Sequence, residues 1–220
     1  VKPGTSGTVN AEYSQGRYGN GGAGFSLNNN NGKLKRNLAY TFNRRKNFED
    51  LASNRIFKDT ILAQHAYTRY PSFSHFINAG IDYEINKNLN ISYGARLSLG
   101  LNNNNSYNDI ESFTLAQTFP FATSLARTSN RNNNFNFNND VDIDLKLDSL
   151  GSNWKNEFTF NINNSKSRQH YDNILLQPID TSLAGNGLTK SPRHYFAWES
   201  DLVKKTGKLT IEAGGKFSSS

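Results

Sequence analysis

From Leu89 to Leu101 the chain alternates without a break. Leu89, Ile91, Tyr93, Ala95, Leu97, Leu99 and Leu101 take one parity; Asn90, Ser92, Gly94, Arg96, Ser98 and Gly100 take the other. Period two means a β-strand with one apolar face and one polar face. At ~3.4 Å per residue such a run is ~40 Å long, well beyond the usual strand of about 5–6 residues. The pattern recurs from Phe73 to Ile85, from Phe135 to Leu147, from Trp154 to Ile162, from Phe196 to Leu202 and from Leu209 to Phe217. Weaker members are Leu34–Phe42, Val9–Tyr13 and Ala23–Leu27. The sum is about nine strands and no helix, because these segments lack 3.6 spacing and are crowded with Asn, Ser, Thr and Gly.

The connections predict how the strands are joined. Short Asn-, Gly-, Asp- and Lys-rich links fall at 29–32, 86–88, 148–153 and 204–207 and read as tight hairpin turns. Links of roughly thirty residues fall at 44–72, 102–134 and 164–192 and read as long loops, while a glycine-rich turn near 16–22 joins the first two strands. Short links on one end and long ones on the other describe the meander of an outer-membrane barrel. A soluble β-sandwich explains the alternation equally well, but not the strand length or the placement of every long link at one end. Composition fits the barrel. The 220 residues are only 35% hydrophobic, and 33 of them are Asn, yet 12% are aromatic. A barrel wall needs apolar residues at only about every second strand position. Tyr83 and Trp154 near the short turns, and Phe42, Phe73, Phe135 and Phe137 near the long links, would form two aromatic girdles.

The expectation is therefore an all-β chain, part of an antiparallel up-and-down transmembrane β-barrel, with residues 1–220 contributing about nine strands of a single larger barrel domain. Bacterial single-chain barrels have an even strand count, which is why nine reads as a part.

The stretch Gly4-Thr5-Ser6-Gly7-Thr8-Val9-Asn10-Ala11-Glu12-Tyr13-Ser14-Gln15-Gly16-Arg17-Tyr18 resembles the first barrel strand of TonB-dependent outer-membrane receptors. Its continuation Gly22-Ala23-Gly24-Phe25-Ser26-Leu27, with Asn31-Gly32-Lys33-Leu34, is similar too, more narrowly to the outer-membrane β-barrel family of Bacteroidetes. Arg44-Arg45-Lys46-Asn47-Phe48 looks like the end of that family's third strand. The resemblance covers about the first fifty residues. It implies a barrel of about 22 strands around a plug, TonB-driven uptake of a scarce ligand such as a siderophore, glycan or peptide, and location in the outer membrane of a Gram-negative cell. The plug domain and the remaining strands are not in these residues. The competing expectation is a plugless structural or adhesive surface barrel, or a soluble β-rich binding module.

Chemistry-bearing motifs are few. There is no Cys, so no thiolate site or disulfide forms. Gly19-Asn20-Gly21-Gly22-Ala23-Gly24 matches the spacing of a dinucleotide loop, but Phe25-Ser26-Leu27 continues it as a strand, so it reads as part of a hairpin. His65, His75, His170 and His194 form no metal-ligand pair, and no metal or cofactor is expected. Asp140, Asp142, Asp144 and Asp148, with Lys146, Lys155 and Glu157, read as a solvated wall rather than a glycosidase pair. No nucleophile–base constellation argues for an enzyme. The net charge of +7 is not gathered on one element, so nucleic acid is not an expected partner. Bases near the long links instead suggest contact with lipopolysaccharide phosphates, through Arg44, Arg45 and Arg131. His170, Tyr171, Asp172 and Tyr107, placed in long loops, are the candidates for touching a small ligand.

Overall fold

The computed structural model describes residues 3–116 and 118–220. They form one antiparallel sheet of nine strands in sequential order. The strands are β1 (Gly4–Gln15), β2 (Gly19–Asn31), β3 (Leu34–Phe57), β4 (Thr60–Asn86), β5 (Leu89–Thr114), β6 (Ala122–Lys146), β7 (Asn153–Gln177), β8 (Thr181–Thr206) and β9 (Leu209–Ser219). Each strand pairs only with its neighbours in sequence, and β1 does not meet β9.

Register sorts the side chains. Leu97 lies opposite Ile77 on β4 and Phe137 on β6; Phe137 lies opposite Ile162, and Phe158 opposite Trp198, which faces Phe217. Every apolar run of the sequence therefore lands on the same face, as one continuous belt. A slip of one residue in any pair would scatter that belt across both faces, which is what fixes the register.

The sheet is a single layer. Among the described residues the one buried hydrophobic side chain is Ala197, at 6% exposure. Leu97 and Ile143 are half-buried by their strand neighbours alone, and Phe160 stays 43% exposed. Among the described residues nothing packs across the belt.

Four short turns fall where short links are expected, at 32–33, 87–88, 147–152 and 207–208, but residues 29–31 and 204–206 belong to β2 and β8. Side-chain oxygens lock three of the turns. Asn30 Oδ1 accepts from the Gly32 amide at 3.0 Å, and Asn86 Oδ1 from the amides of Asn88 and Leu89 at 2.8 and 3.0 Å. Asp148 Oδ1 accepts from the amides of Leu150 and Ser152 at 2.9 and 3.1 Å. Gly32 (φ 67°) and Gly207 (φ 60°) supply the left-handed position that their two-residue turns need.

The long loops are a correction. Residues 44–57 and 60–72 are the outer halves of β3 and β4, paired in unbroken register down to Phe57 opposite Thr60. Residues 102–114 and 122–134 extend β5 and β6, and 164–177 and 181–192 extend β7 and β8. Only 58–59, 115–121 and 178–180 connect them. Beyond the belt, apolar residues such as Leu51, Ile56 and Leu188 are scattered over both faces among polar ones, without regular alternation. A strand that must bury neither face carries no period-two signal, so the ladder there is held by backbone hydrogen bonds without a regular hydrophobic trace in the sequence. The glycine run also moves: the first turn is 16–18, and Gly19–Gly24 lies within β2, with the Tyr13 ring over Gly19 and Gly21.

Candidate functional site

Four polar residues that interrupt the belt find partners within it, whereas His194, opposite Ile162, finds none among the described residues. Tyr40 Oη and His75 Nδ1 are 2.9 Å apart. Tyr93 Oη donates to Asn139 Oδ1 at 2.8 Å, Trp154 Nε1 to Ser200 Oγ at 2.8 Å, and Trp198 Nε1 to Asn156 Oδ1 at 3.3 Å. Asn139 Nδ2 also donates to the Phe160 carbonyl at 3.3 Å. Aromatic rings with one polar atom thus neutralise four side chains that an apolar surrounding would otherwise penalise.

Directly above the belt, on the same face, the side chains turn basic. Register places Arg44 beside Phe73, Lys46 beside Pro71, and Phe48 beside Arg69. Arg131 lies opposite Arg168 on the next strand. Lys166 lies opposite Lys190. No carboxylate comes within salt-bridge distance of these seven bases among the described residues, and the first acids on this face, Asp50 and Asp172, come higher up. The Nε of Arg69 is buried without a hydrogen-bond partner. Below Lys166 and Lys190 the surface dips into an apolar concavity of about 620 Å³, walled by Phe73, Leu99, Leu101, Phe135 and Pro192. A second hollow, of about 480 Å³, adjoins Arg131, Arg168, His170 and Asn186.

The first turn folds onto this face beside the rim. Arg17 sits 4.7 Å from the Phe48 ring centre and 4.8 Å from that of Tyr67, and reaches Asp50 at 3.3 Å. Asp50 Oδ1 is also 2.8 Å from His65 Nε2, and the His65 hydrogen bond, then Arg17, hold its carboxyl below the usual range. Tyr18 Oη meets Tyr67 Oη at 2.6 Å, and Lys46 Nζ lies 3.9 Å over the Tyr18 ring. Cation–π contacts and one ion pair brace the turn against β3 and β4.

The opposite face is a polar wall. Asp82, Asp140, Asp142 and Glu157 line a hollow of about 560 Å³ with Arg96, whose guanidinium is 3.8 Å from Asp140. Asp144 lies opposite Lys155, and Lys216 bonds Glu199 at 2.7 Å. Among the described residues no group of three His, Cys, Asp or Glu is arranged to hold a metal.

The expected site residues divide between these faces. Arg44 and Arg131 stand on the basic rim, whereas Arg45, opposite Ser72, points with the polar face and leaves that set. His170, Tyr171, Asp172 and Tyr107 are strand residues of β7 and β5, not loop residues. His170 Nδ1 is 2.8 Å from Asn186 Oδ1, and Asp172 lies opposite Arg127, on the same face as Tyr107. Tyr171 stands on the other face, so the four make no common site. What sequence reasoning missed was the sidedness of the bases. Counting back in twos from Phe135 reaches Arg131, and counting on from Ile162 reaches Lys166 and Arg168.

No family model matches the chain, and no curated protein matches it. Solved structures similar to it include the RagAB peptide importer in its open-open state, at 8% identity and a TM-score of 0.45, with 91% of this chain and 31% of that one covered. The ferric yersiniabactin uptake receptor FyuA from Yersinia pestis aligns at 11% identity and a TM-score of 0.38 over 91% of this chain and 35% of its own. BauA, the ferric preacinetobactin receptor from Acinetobacter baumannii, aligns at 8% identity and a TM-score of 0.31 over 96% and 52%. The chain spans about a third of the length of the first two.

Proposed function

We propose that this chain is a section of the wall of an outer-membrane β-barrel belonging to a TonB-dependent receptor, which takes up a scarce small ligand. The carrying observation is the one-layer sheet whose apolar belt has no protein cover among the described residues and in which His75, Asn139, Asn156 and Ser200 are bonded to belt aromatics. Water does not require that bonding, whereas hydrocarbon does. A belt ~40 Å long along the strand spans ~30 Å once tilted by about 40°, close to the ~25 Å apolar band of such barrels. The belt then faces lipid, and the polar wall with Asp82, Asp140, Asp142 and Glu157 faces a wet lumen, where a plug would sit. The paired extensions of β3 to β8 stand above the outer leaflet and carry the ligand-contacting surface. In this role the wall is passive, and energy for transport comes from TonB through the plug.

The test has two stages. The whole protein, expressed in its native cell, should fractionate with the outer membrane and show a heat-dependent shift in gel mobility. Uptake of a labelled siderophore, glycan or peptide panel should then include one substrate whose import stops when TonB is deleted. Recovery in the soluble fraction overturns the barrel. Outer-membrane residence with TonB-independent behaviour toward the whole panel favours a plugless surface barrel instead.

A further inference from the structure

We propose that the basic rim and the apolar hollow beneath it form a binding site for a phosphorylated, acylated glycolipid of the outer leaflet, held from the lipid side of the wall. This rests on the reading that the belt faces lipid. The first argument is electrostatic. Lys166 directly opposes Lys190, and Arg131 directly opposes Arg168. Like charges in direct cross-strand opposition destabilise a sheet, and here neither pair is offset by a neighbouring carboxylate among the described residues. An anion between the partners removes the repulsion. A phosphate also matches the guanidinium fork of arginine and the point charge of lysine.

The second argument is shape. The concavity of about 620 Å³ begins at Lys166 and Lys190 and descends along Leu101, Leu99, Phe73 and Phe135 into the belt. A headgroup held at the lysines would lay an acyl chain down this apolar slot. The adjoining hollow, with Arg131, Arg168, His170 and Asn186, offers a second charged position ~7 Å higher along the strands, two residues on. One phosphate at the lysine pair and one at the arginine pair describe a bisphosphorylated disaccharide lipid. A mono-anionic phospholipid satisfies only one of the two positions.

The experiment uses the whole protein, purified from membranes in detergent and reconstituted in phosphatidylcholine nanodiscs. It is titrated with bisphosphorylated lipid A, with the same lipid stripped of both phosphates, and with inorganic phosphate. Lipid A should bind, and the stripped lipid should bind about a hundredfold more weakly, as expected for losing several charge contacts at a membrane surface. Equimolar inorganic phosphate should not displace lipid A, since it lacks the acyl chains. The combined change Arg131→Gln, Arg168→Gln, Lys166→Gln and Lys190→Gln should abolish the preference for phosphate. The pair Lys166→Arg and Lys190→Arg should keep it, as should Arg193→Gln, which lies on the polar face opposite Asn163. Heat-shifted mobility of each variant shows that it is folded. If the folded quadruple variant binds lipid A as tightly as the unaltered protein, or if the stripped lipid binds equally well, the glycolipid site is wrong while the barrel stands. If the unaltered protein does not enter nanodiscs at all, the barrel reading itself has failed.

Discussion

At the residue scale the belt is defined by how it treats its polar members. Asn139 Oδ1 accepts from Tyr93 Oη at 2.8 Å. Removing that hydroxyl with Tyr93→Phe leaves an amide oxygen in an apolar setting, at a cost of about 1–3 kcal/mol. Pairing it with Asn139→Leu should recover most of the loss, because both polar groups are then gone. Urea unfolding of the bilayer-inserted protein measures both; equal stability of all three forms would show that the amide was never desolvated. A second residue-scale prediction concerns the 147–152 turn. Lys204 Nζ bonds Asp148 at 2.8 Å, and this contact, with the Ser152 hydroxyl and the amides of Ser152 and Leu150, holds the Asp148 carboxyl far below its ordinary value. A depressed carboxylate contributes its stabilisation in full above the ordinary value of 3.8 and loses it as pH falls through the depressed one. Hydrogen exchange at Leu150 and Ser152 should therefore be unchanged from pH 7 to 5 after correction for intrinsic rate. Protection should decline under strong acid, and Asp148→Asn should lower it at every pH.

At the element scale, the two halves of each long strand obey different physics. Within the belt the apolar side chains keep to one face, so Leu89–Leu101 declares itself as a strand by alternation alone. In 102–114 the chain keeps the same ladder, but Asn102, Asn103, Asn104 and Asn105 show no parity, and the sequence reads as a loop. The inner halves, the short turns and the common apolar face were thus legible, whereas the outer halves and the sidedness of Arg44 against Arg45 required the register. The same division makes a prediction. Leu97→Arg, in the middle of the belt, should destabilise the inserted barrel by about 2–4 kcal/mol, while Ser98→Arg on the polar face should cost little. Similar costs at the two positions, read by the same unfolding assay, would show that both faces meet water. Deleting the tip of the β3–β4 hairpin, residues 52–65, removes no belt residue. The shortened protein should still insert and keep its heat-shifted mobility; failure to insert would make the extensions part of the folding unit.

At the scale of the whole molecule, one layer, an uncovered apolar belt and a basic rim along its upper edge are three aspects of a single arrangement. On the proposed reading the belt meets hydrocarbon, the rim phosphate and the acid-lined wall water, in the order in which an outer membrane supplies them. The chain has no cysteine, so single introduced cysteines report cleanly. The most direct measurement places a spin label at each position from Arg96 to Leu101 of the reconstituted protein and records its collisions with oxygen, which partitions into lipid, and with a water-soluble nickel chelate. Labels at Leu97, Leu99 and Leu101 should favour oxygen, and those at Arg96, Ser98 and Gly100 the chelate, in strict alternation. Low exposure to both reagents at the three leucines would mean that protein covers the belt, and the account would be contradicted.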